Sequence, residues 1–198
     1  PDCPEDERLK AIGGLAHNGG MRLFKSADGT NWKQVGDKGV ITVGAFDSAN
    51  IAFWDKSIRR YRAYYRIFTG GTTTATVWKP GGIRAIRTAV SDDLVNWEDF
   101  QDLTYGDSPP QQMYTNNVIS YHRAPHILVG FPMRYVERGW SPTMKALPDL
   151  ENRELRSKAN LRYGTALTET QIMTSRDGVK FKRWDEAFLR PGVERKDS

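Results

Sequence analysis

Cysteine is almost missing. Cys3 is the only one in 198 residues, so no internal disulfide framework holds the fold together. Histidine is scarce as well, with three in the chain. His122 and His126 flank Pro125, and with no third ligand at metal spacing they predict no metal site. No other cofactor is indicated. No apolar run approaches the roughly 20 residues that a membrane span needs, so no membrane partner is expected. No block of consecutive basic residues occurs: 29 Lys and Arg are interleaved with 24 acids. No groove-reading helix stands out either, and nucleic acid is not an expected partner. Neither an initiator Met nor a signal-peptide pattern stands at Pro1-Asp2-Cys3, so the compartment is not legible there.

What is present belongs to an ordered globular chain, with 38% hydrophobic and 27% charged residues. The net charge of +5 leaves open an anionic polymer bound on one face. The chief signal is a repeat. Ser26-Ala27-Asp28-Gly29-Thr30-Asn31-Trp32 recurs as Ser91-Asp92-Asp93-Leu94-Val95-Asn96-Trp97, and again as Ser175-Arg176-Asp177-Gly178-Val179-Lys180-Phe181. Each copy follows a short apolar run. Ser and Asp side chains bond to the turn backbone, Gly takes positive φ at little cost, and the aromatic opens the return strand. Three copies in register argue for a repeat architecture.

Around each turn the chain reads as a meander. Ile51 to Asp55 and Tyr61 to Phe68 are strand-like, rich in aromatic and β-branched residues. Residues 117–121 align with residues 50–54. The Gly/Thr-rich segment 69–82 reads as a loop, and His17-Asn18-Gly19-Gly20 as a turn. Residues 136–170 read as a charged insertion holding one or two helical turns near residues 148–156, with Pro148 near the first helical position. The predicted fold is all-β: a β-propeller of four-stranded antiparallel blades. An immunoglobulin-like sandwich is the rival, and it does not explain the recurring turn. Blade one spans 1–45 and lacks its inner strand, blade two spans 46–112, and blade three spans 113–198 including the insertion 136–170.

In a propeller, side chains where the inner strands begin converge on the axis, which is where a small-molecule site is expected. The candidates there are Asp47 and Asn50 in the second blade, and Tyr114, Asn116 and Asn117 in the third. Asn50 and Asn117 align, and capping of the strand mouth is as good a reading for them as ligand contact. Asp47 aligns with Tyr114, so its acid has no duty repeated in the other blade, and a functional role is favoured. Arg22, Arg87 and Gln171 each stand four residues before a repeated Ser. For Arg87 two readings stay open: an ion pair with a turn Asp, or a donor to a sugar hydroxyl, carboxylate or sulfate.

Phe46-Asp47-Ser48-Ala49-Asn50-Ile51-Ala52-Phe53-Trp54-Asp55, Tyr114-Thr115-Asn116-Asn117, Gly130-Phe131-Pro132 and Arg176-Asp177-Gly178-Val179 together resemble a bacterial glycosidase-like group. That group is related to the five-bladed β-propellers of glycoside hydrolase families 32, 43 and 117. The resemblance implies hydrolysis of a poly- or oligosaccharide at the propeller axis, in a secreted or periplasmic setting. It makes Asp47 a catalytic carboxylate that orients the sugar or tunes a pKa. The third blade of such enzymes supplies a Glu, yet the matching stretch here holds no acid, so the general acid is unassigned. A non-catalytic propeller for sugar binding or protein interaction is the alternative. A sialidase-like enzyme ranks last, because Gly follows Asp one residue too early for its turn and no arginine triad is evident.

Aligning Arg8-Leu9-Lys10-Ala11 on Arg60-Tyr61-Arg62-Ala63 places the first blade's inner strand mostly before residue 1. About eleven strands are expected, against the roughly 20 of five four-stranded blades. The expectation is therefore a fragment of a longer protein, or an assembly in which other copies complete the ring.

Overall fold

A computed structural model of the chain describes residues 3–15 and 19–191. In the first antiparallel meander, β1 (Leu9–Leu15), β2 (Gly20–Ser26) and β3 (Lys33–Val35) pair in chain order. The second is β4 (Ile51–Asp55), β5 (Arg60–Thr73), β6 (Trp78–Ser91) and β7 (Trp97–Asp102), again in chain order. Then come β8 (Gln112–Met113), β9 (Val118–Ser120), β10 (Leu128–Gly130), β11 (Met133–Val136), β12 (Leu167–Thr170), β13 (Met173–Ser175) and β14 (Phe181–Arg183). Of these, β9, β10, β13 and β14 form the third meander, while β8, β11 and β12 form a separate three-stranded sheet. Among the described residues the fold is mostly β, and none of the four sheets closes on itself.

The repeated turn is built the same way three times. The Ser hydroxyl accepts the amide of Gly29, Leu94 or Gly178, at 2.9 Å in each copy. The Asp carboxylate accepts the next two amides at 2.7–2.8 Å. Trp32 and Trp97 close the first two turns by donating their indole N–H to the carbonyls of Gly29 and Leu94, both at 2.9 Å. Gly29 and Gly178 have φ of 80° and 83°, the left-handed region that suits glycine. Leu94 takes φ 67° at the same position, because its side chain is needed in the core.

The second meander is the middle layer, and β5 is buried on both faces. Its side chains alternate with period two. Ala63, Tyr65 and Ile67 face the first meander and pack with Met21, Leu23 and Phe46. Tyr64 faces the third meander and packs with Ile86, Met113, Val118 and Met173. Each such buried large side chain contributes on the order of 1.5–3 kcal/mol. The third turn is laid directly on this layer: Tyr64 Oη donates to the Gly178 carbonyl at 2.9 Å, and the Thr104 amide to that of Val179 at 3.0 Å.

Three expectations need correction. Segment 69–82 is not a loop. β5 and β6 continue through it as a hairpin arm, with Gly70 opposite Gly81, Gly71 opposite Pro80, and a bulge after Phe68. Its glycines let the two backbones pass closely, since a Cβ on Gly71 would lie 2.2 Å from the Lys79 carbonyl oxygen. Nor is 136–170 a simple insertion. Its ends form the β11–β12 hairpin, with Arg134 opposite Glu169 and Val136 opposite Leu167. Between them lie α1 (Pro142–Ala146), α2 (Leu150–Ala159) and α3 (Arg162–Thr165). Proline does sit in a first helical turn, but it is Pro142 of α1 and not Pro148, which precedes the N-cap residue Asp149. The turn expected at His17 and Asn18 lies in part outside the described residues.

Candidate functional site

The face of β5 and β6 that buries Tyr64 and Ile86 runs on past the core. Two residues further along each strand it presents Arg66, then Phe68 opposite Arg84. These side chains form one wall of a cleft of about 1080 Å3. The β8–β11–β12 sheet forms the facing wall with Gln112, Tyr135, Arg134 and Glu169, and the helical segment covers the end with Arg156, Arg162 and Tyr163.

Asp47 enters this cleft from the segment before β4. That segment is fixed on β5, where the Ala45 amide donates to the Arg66 carbonyl at 2.8 Å and the Gly44 amide to that of Thr73 at 3.0 Å. The Asp47 carboxylate pairs with the buried Arg66 guanidinium, yet its own side chain is 43% exposed, so the acid still reaches the cleft. Tyr114 is anchored beside it, because Ser48 Oγ donates to the Tyr114 carbonyl at 2.6 Å. The Arg66 guanidinium lies 4.9 Å from the Tyr114 ring centre. Asp47 and Tyr114, aligned in sequence, thus meet around Arg66.

Arg84 lies next to them. Its guanidinium carbon is 4.6 Å from the Tyr135 ring centre, 5.3 Å from that of Tyr114 and 5.5 Å from that of Phe68. It donates to the Gln112 side-chain oxygen, and its buried Nε finds no acceptor among the described residues. No carboxylate among them pairs with it. Burial first, then the charges of Arg66 and Arg162, push its guanidinium below the ordinary value.

The cleft holds two further carboxylates among the described residues. Glu169 is 5% exposed and occupied: it pairs with Arg134 and, at 3.4 Å, with Arg190. Glu137 accepts one hydrogen bond, from Gln112 Nε2 at 3.2 Å. Among the described residues no group of three His, Cys, Asp or Glu is placed to hold a metal ion.

The other sequence candidates lie elsewhere. Asn50 borders a smaller hollow of about 520 Å3 on the side of the first meander. Its amide donates to the carbonyls of Phe46 and Ser48 at 2.8 and 3.0 Å. Asn116 has no exposed surface and bridges the Ala49 and Tyr64 carbonyls at 2.8 and 3.3 Å. Asn117, at φ 45°, donates to the Phe131 carbonyl at 3.1 Å. Arg87 is an odd number of residues from Arg84 on β6, so it faces the opposite side of the sheet. There it pairs with Asp102 of β7 at 2.5 Å, an outer-strand acid of its own meander and not a turn Asp. Arg22 does likewise with Gln34 at 3.1 Å.

Arg66, Tyr135, Glu137 and Glu169 were not among the candidates. For Glu169 a signal was available: the short segments Met133-Arg134-Tyr135-Val136 and Leu167-Thr168-Glu169-Thr170 carry opposite charges, Arg134 and Glu169, at positions that face each other across a hairpin.

No known protein family matches the chain, and no curated protein matches it. Among solved structures it is similar to an N-acetylgalactosamine deacetylase from F. plautii, solved in complex with blood group B trisaccharide. The TM-score is 0.54 and the identity 14%; the match covers 89% of this chain and 46% of that one. The chain therefore spans less than half the length of the protein it resembles, and the likeness is one of fold.

Proposed function

We propose that this chain is part of a five-bladed β-propeller that binds carbohydrate in the Asp47 cleft, and that its reaction is glycoside hydrolysis. Three successive meanders with one strand order and one repeated turn support the propeller reading. The missing blades then come from a longer chain or from other copies. The observation that carries the function is the meeting of an accessible carboxylate, Asp47, with the rings of Tyr114, Tyr135 and Phe68 in one cleft. Aromatic faces hold the apolar faces of sugars, and a carboxylate among them meets ring hydroxyls or the anomeric centre. The trisaccharide bound to the deacetylase supports a sugar as the ligand class.

Hydrolysis needs two carboxyl groups flanking the scissile bond. Glu169 is engaged by two arginines, so in this reading the second is Glu137, whose partner among the described residues is a neutral amide. In this mechanism Asp47, set against Arg66, takes the proton of the water that attacks the anomeric carbon, while Glu137 gives a proton to the leaving oxygen as its bond to that carbon breaks. Asn50, Arg87, Asn116 and Asn117 then act through the scaffold, holding the strand mouths and the outer strand.

The test is turnover of a glycan panel by the wild-type chain, Asp47→Asn and Glu137→Gln, with binding followed by calorimetry. Each substitution should lower turnover by roughly 10²–10⁴-fold and leave binding within a few-fold. Equal turnover by Asp47→Asn and the wild type would remove Asp47 from the reaction. Glycan binding by the wild type without any turnover would leave the non-catalytic, sugar-binding propeller as the function.

A further inference from the structure

The charge on the cleft wall is one-sided. Among the described residues it carries eight arginines against three carboxylates, with no lysine. Several of the arginines are already committed. Arg66 pairs with Asp47, Arg134 and Arg190 share Glu169, and Arg153 donates to the carbonyls of Met144, Leu147 and Pro148. Among the described residues the others pair with no acid. Arg84 is the clearest case, half-buried between three aromatic rings with no counter-ion among the described residues.

Removing a guanidinium from water without a counter-ion costs free energy, and ring faces offset only part of that cost. The surroundings worsen it, since Arg66 and Arg162 repel the same charge. If these cations served packing alone, an apolar side chain at position 84 would fill the space among Phe68, Tyr114 and Tyr135 more favourably. An arriving anion answers the charge of Arg84 through its terminal guanidinium nitrogens, and a guanidinium fork matches a carboxylate or sulfate by two parallel bonds.

We propose that the ligand of this cleft is an acidic sugar, whose carboxylate or sulfate is taken up by Arg84 beside the aromatic rings. This rests on the carbohydrate reading above and specifies its substrate class. Arg162 and Arg156 of the helical cover extend the positive wall, so an acidic chain longer than one residue is accommodated. The net charge of the whole protein, +5, is matched by the excess of arginine in this one cleft.

The experiment is calorimetric titration of the 198-residue chain with three size-matched oligosaccharides: chondroitin sulfate, the same oligosaccharide chemically desulfated, and a neutral galactan. Binding should be tightest for the acidic pair and should weaken as salt is raised. Arg84→Gln should lose about 10- to 100-fold in affinity for them, the scale of a charge-assisted hydrogen bond. The control Arg60→Gln removes the same charge at an external ion pair with Asp92 and Glu98 and should change nothing. Retention of affinity by desulfated chondroitin assigns the carboxylate, and its loss assigns the sulfate. Neutral galactan bound as tightly as the acidic sugars would overturn the acidic-sugar assignment and leave the carbohydrate reading standing. Absence of binding to all three would overturn both. The comparison of ligands on the wild type decides the matter even if Arg84→Gln fails to fold.

Discussion

Replacing Gly178 with alanine measures what the docking of the third turn onto the second meander contributes. Gly178 has φ +83° and Gly29 has φ +80°, so alanine at either one pays the left-handed penalty of about 1–2 kcal/mol. The surroundings differ. A Cβ on Gly29 would meet only Leu9 Cδ1 at 3.1 Å, the free end of an exposed side chain. A Cβ on Gly178 would lie 2.5 Å from Arg62 Cζ and 2.9 Å from Tyr64 Oη. Neither neighbour yields easily. Arg62 is held by Asp55 at 2.8 Å in a buried ion pair, and Tyr64 has no exposed surface. Overpacking of this kind costs about 1–3 kcal/mol, and the strained Tyr64 hydrogen bond to Gly178 adds about 1 kcal/mol. Gly178→Ala should therefore cost roughly 3–6 kcal/mol, against about 1–2 kcal/mol for Gly29→Ala. The difference corresponds to roughly 5–15 °C in Tm for a chain of this size. Urea unfolding and thermal melting of the two variants read it directly. Equal losses would refute the claim that the third turn is locked into the second meander.

Leu94 inverts the usual order of substitutions. Leu94→Ala keeps the positive φ and loses a buried side chain, at about 2–5 kcal/mol. Leu94→Gly loses the same packing but relieves about 1–2 kcal/mol of strain. Urea midpoints should rank wild type above Gly and Gly above Ala; a Gly variant as stable as wild type would show that the burial of Leu94 contributes no more than the roughly 1–2 kcal/mol of strain it offsets. Acid should loosen the repeated turns. The backbone amide of Asn96, followed by its side chain and the Val95 amide, outweighs partial burial and holds the Asp93 carboxyl down to about 2, against an unfolded value of about 3.9. Because this pKa is depressed, its contribution is complete above about pH 4 and is lost as pH falls through about 2. Asp28 is shifted in the same direction, chiefly by the Asn31 amide. Tm should fall between pH 4 and 2, and less steeply in Asp93→Asn; an unchanged slope in that variant would refute the assignment.

The three turns were legible because everything they need is local. Ser, Asp and the amides they bind lie within five residues of one another, so the pattern Ser-x-Asp writes the geometry directly. The neighbouring strand was legible too, since Tyr61 to Phe68 is rich in aromatic and β-branched residues and bounded by turns. From these local signals the sequence also yields the strand order, since meanders connect neighbours. Segment 69–82 escaped because its glycines read as loop, while the folded chain uses them to pass two backbones at a bulge. Segment 136–170 escaped because its charges read as solvated, while the fold turns them into a cleft.

The site depends on separations that no local pattern carries. Asp47 was legible as an acid without a repeated duty, but its partner Arg66 is 19 residues away, Gln112 is 28 from Arg84, and Glu169 is 35 from Arg134. Which arginines face one another follows from strand register, where a single residue separates one face of a sheet from the other. That rule places Arg84 in the cleft and Arg87 on the far side of the same strand. The sequence alone determined the repeated turns, the β character and the candidacy of Asp47. The tertiary structure decided which charges are paired, which are left in the cleft, and which asparagines merely hold carbonyls, because burial and pairing are properties of what the folded chain brings together.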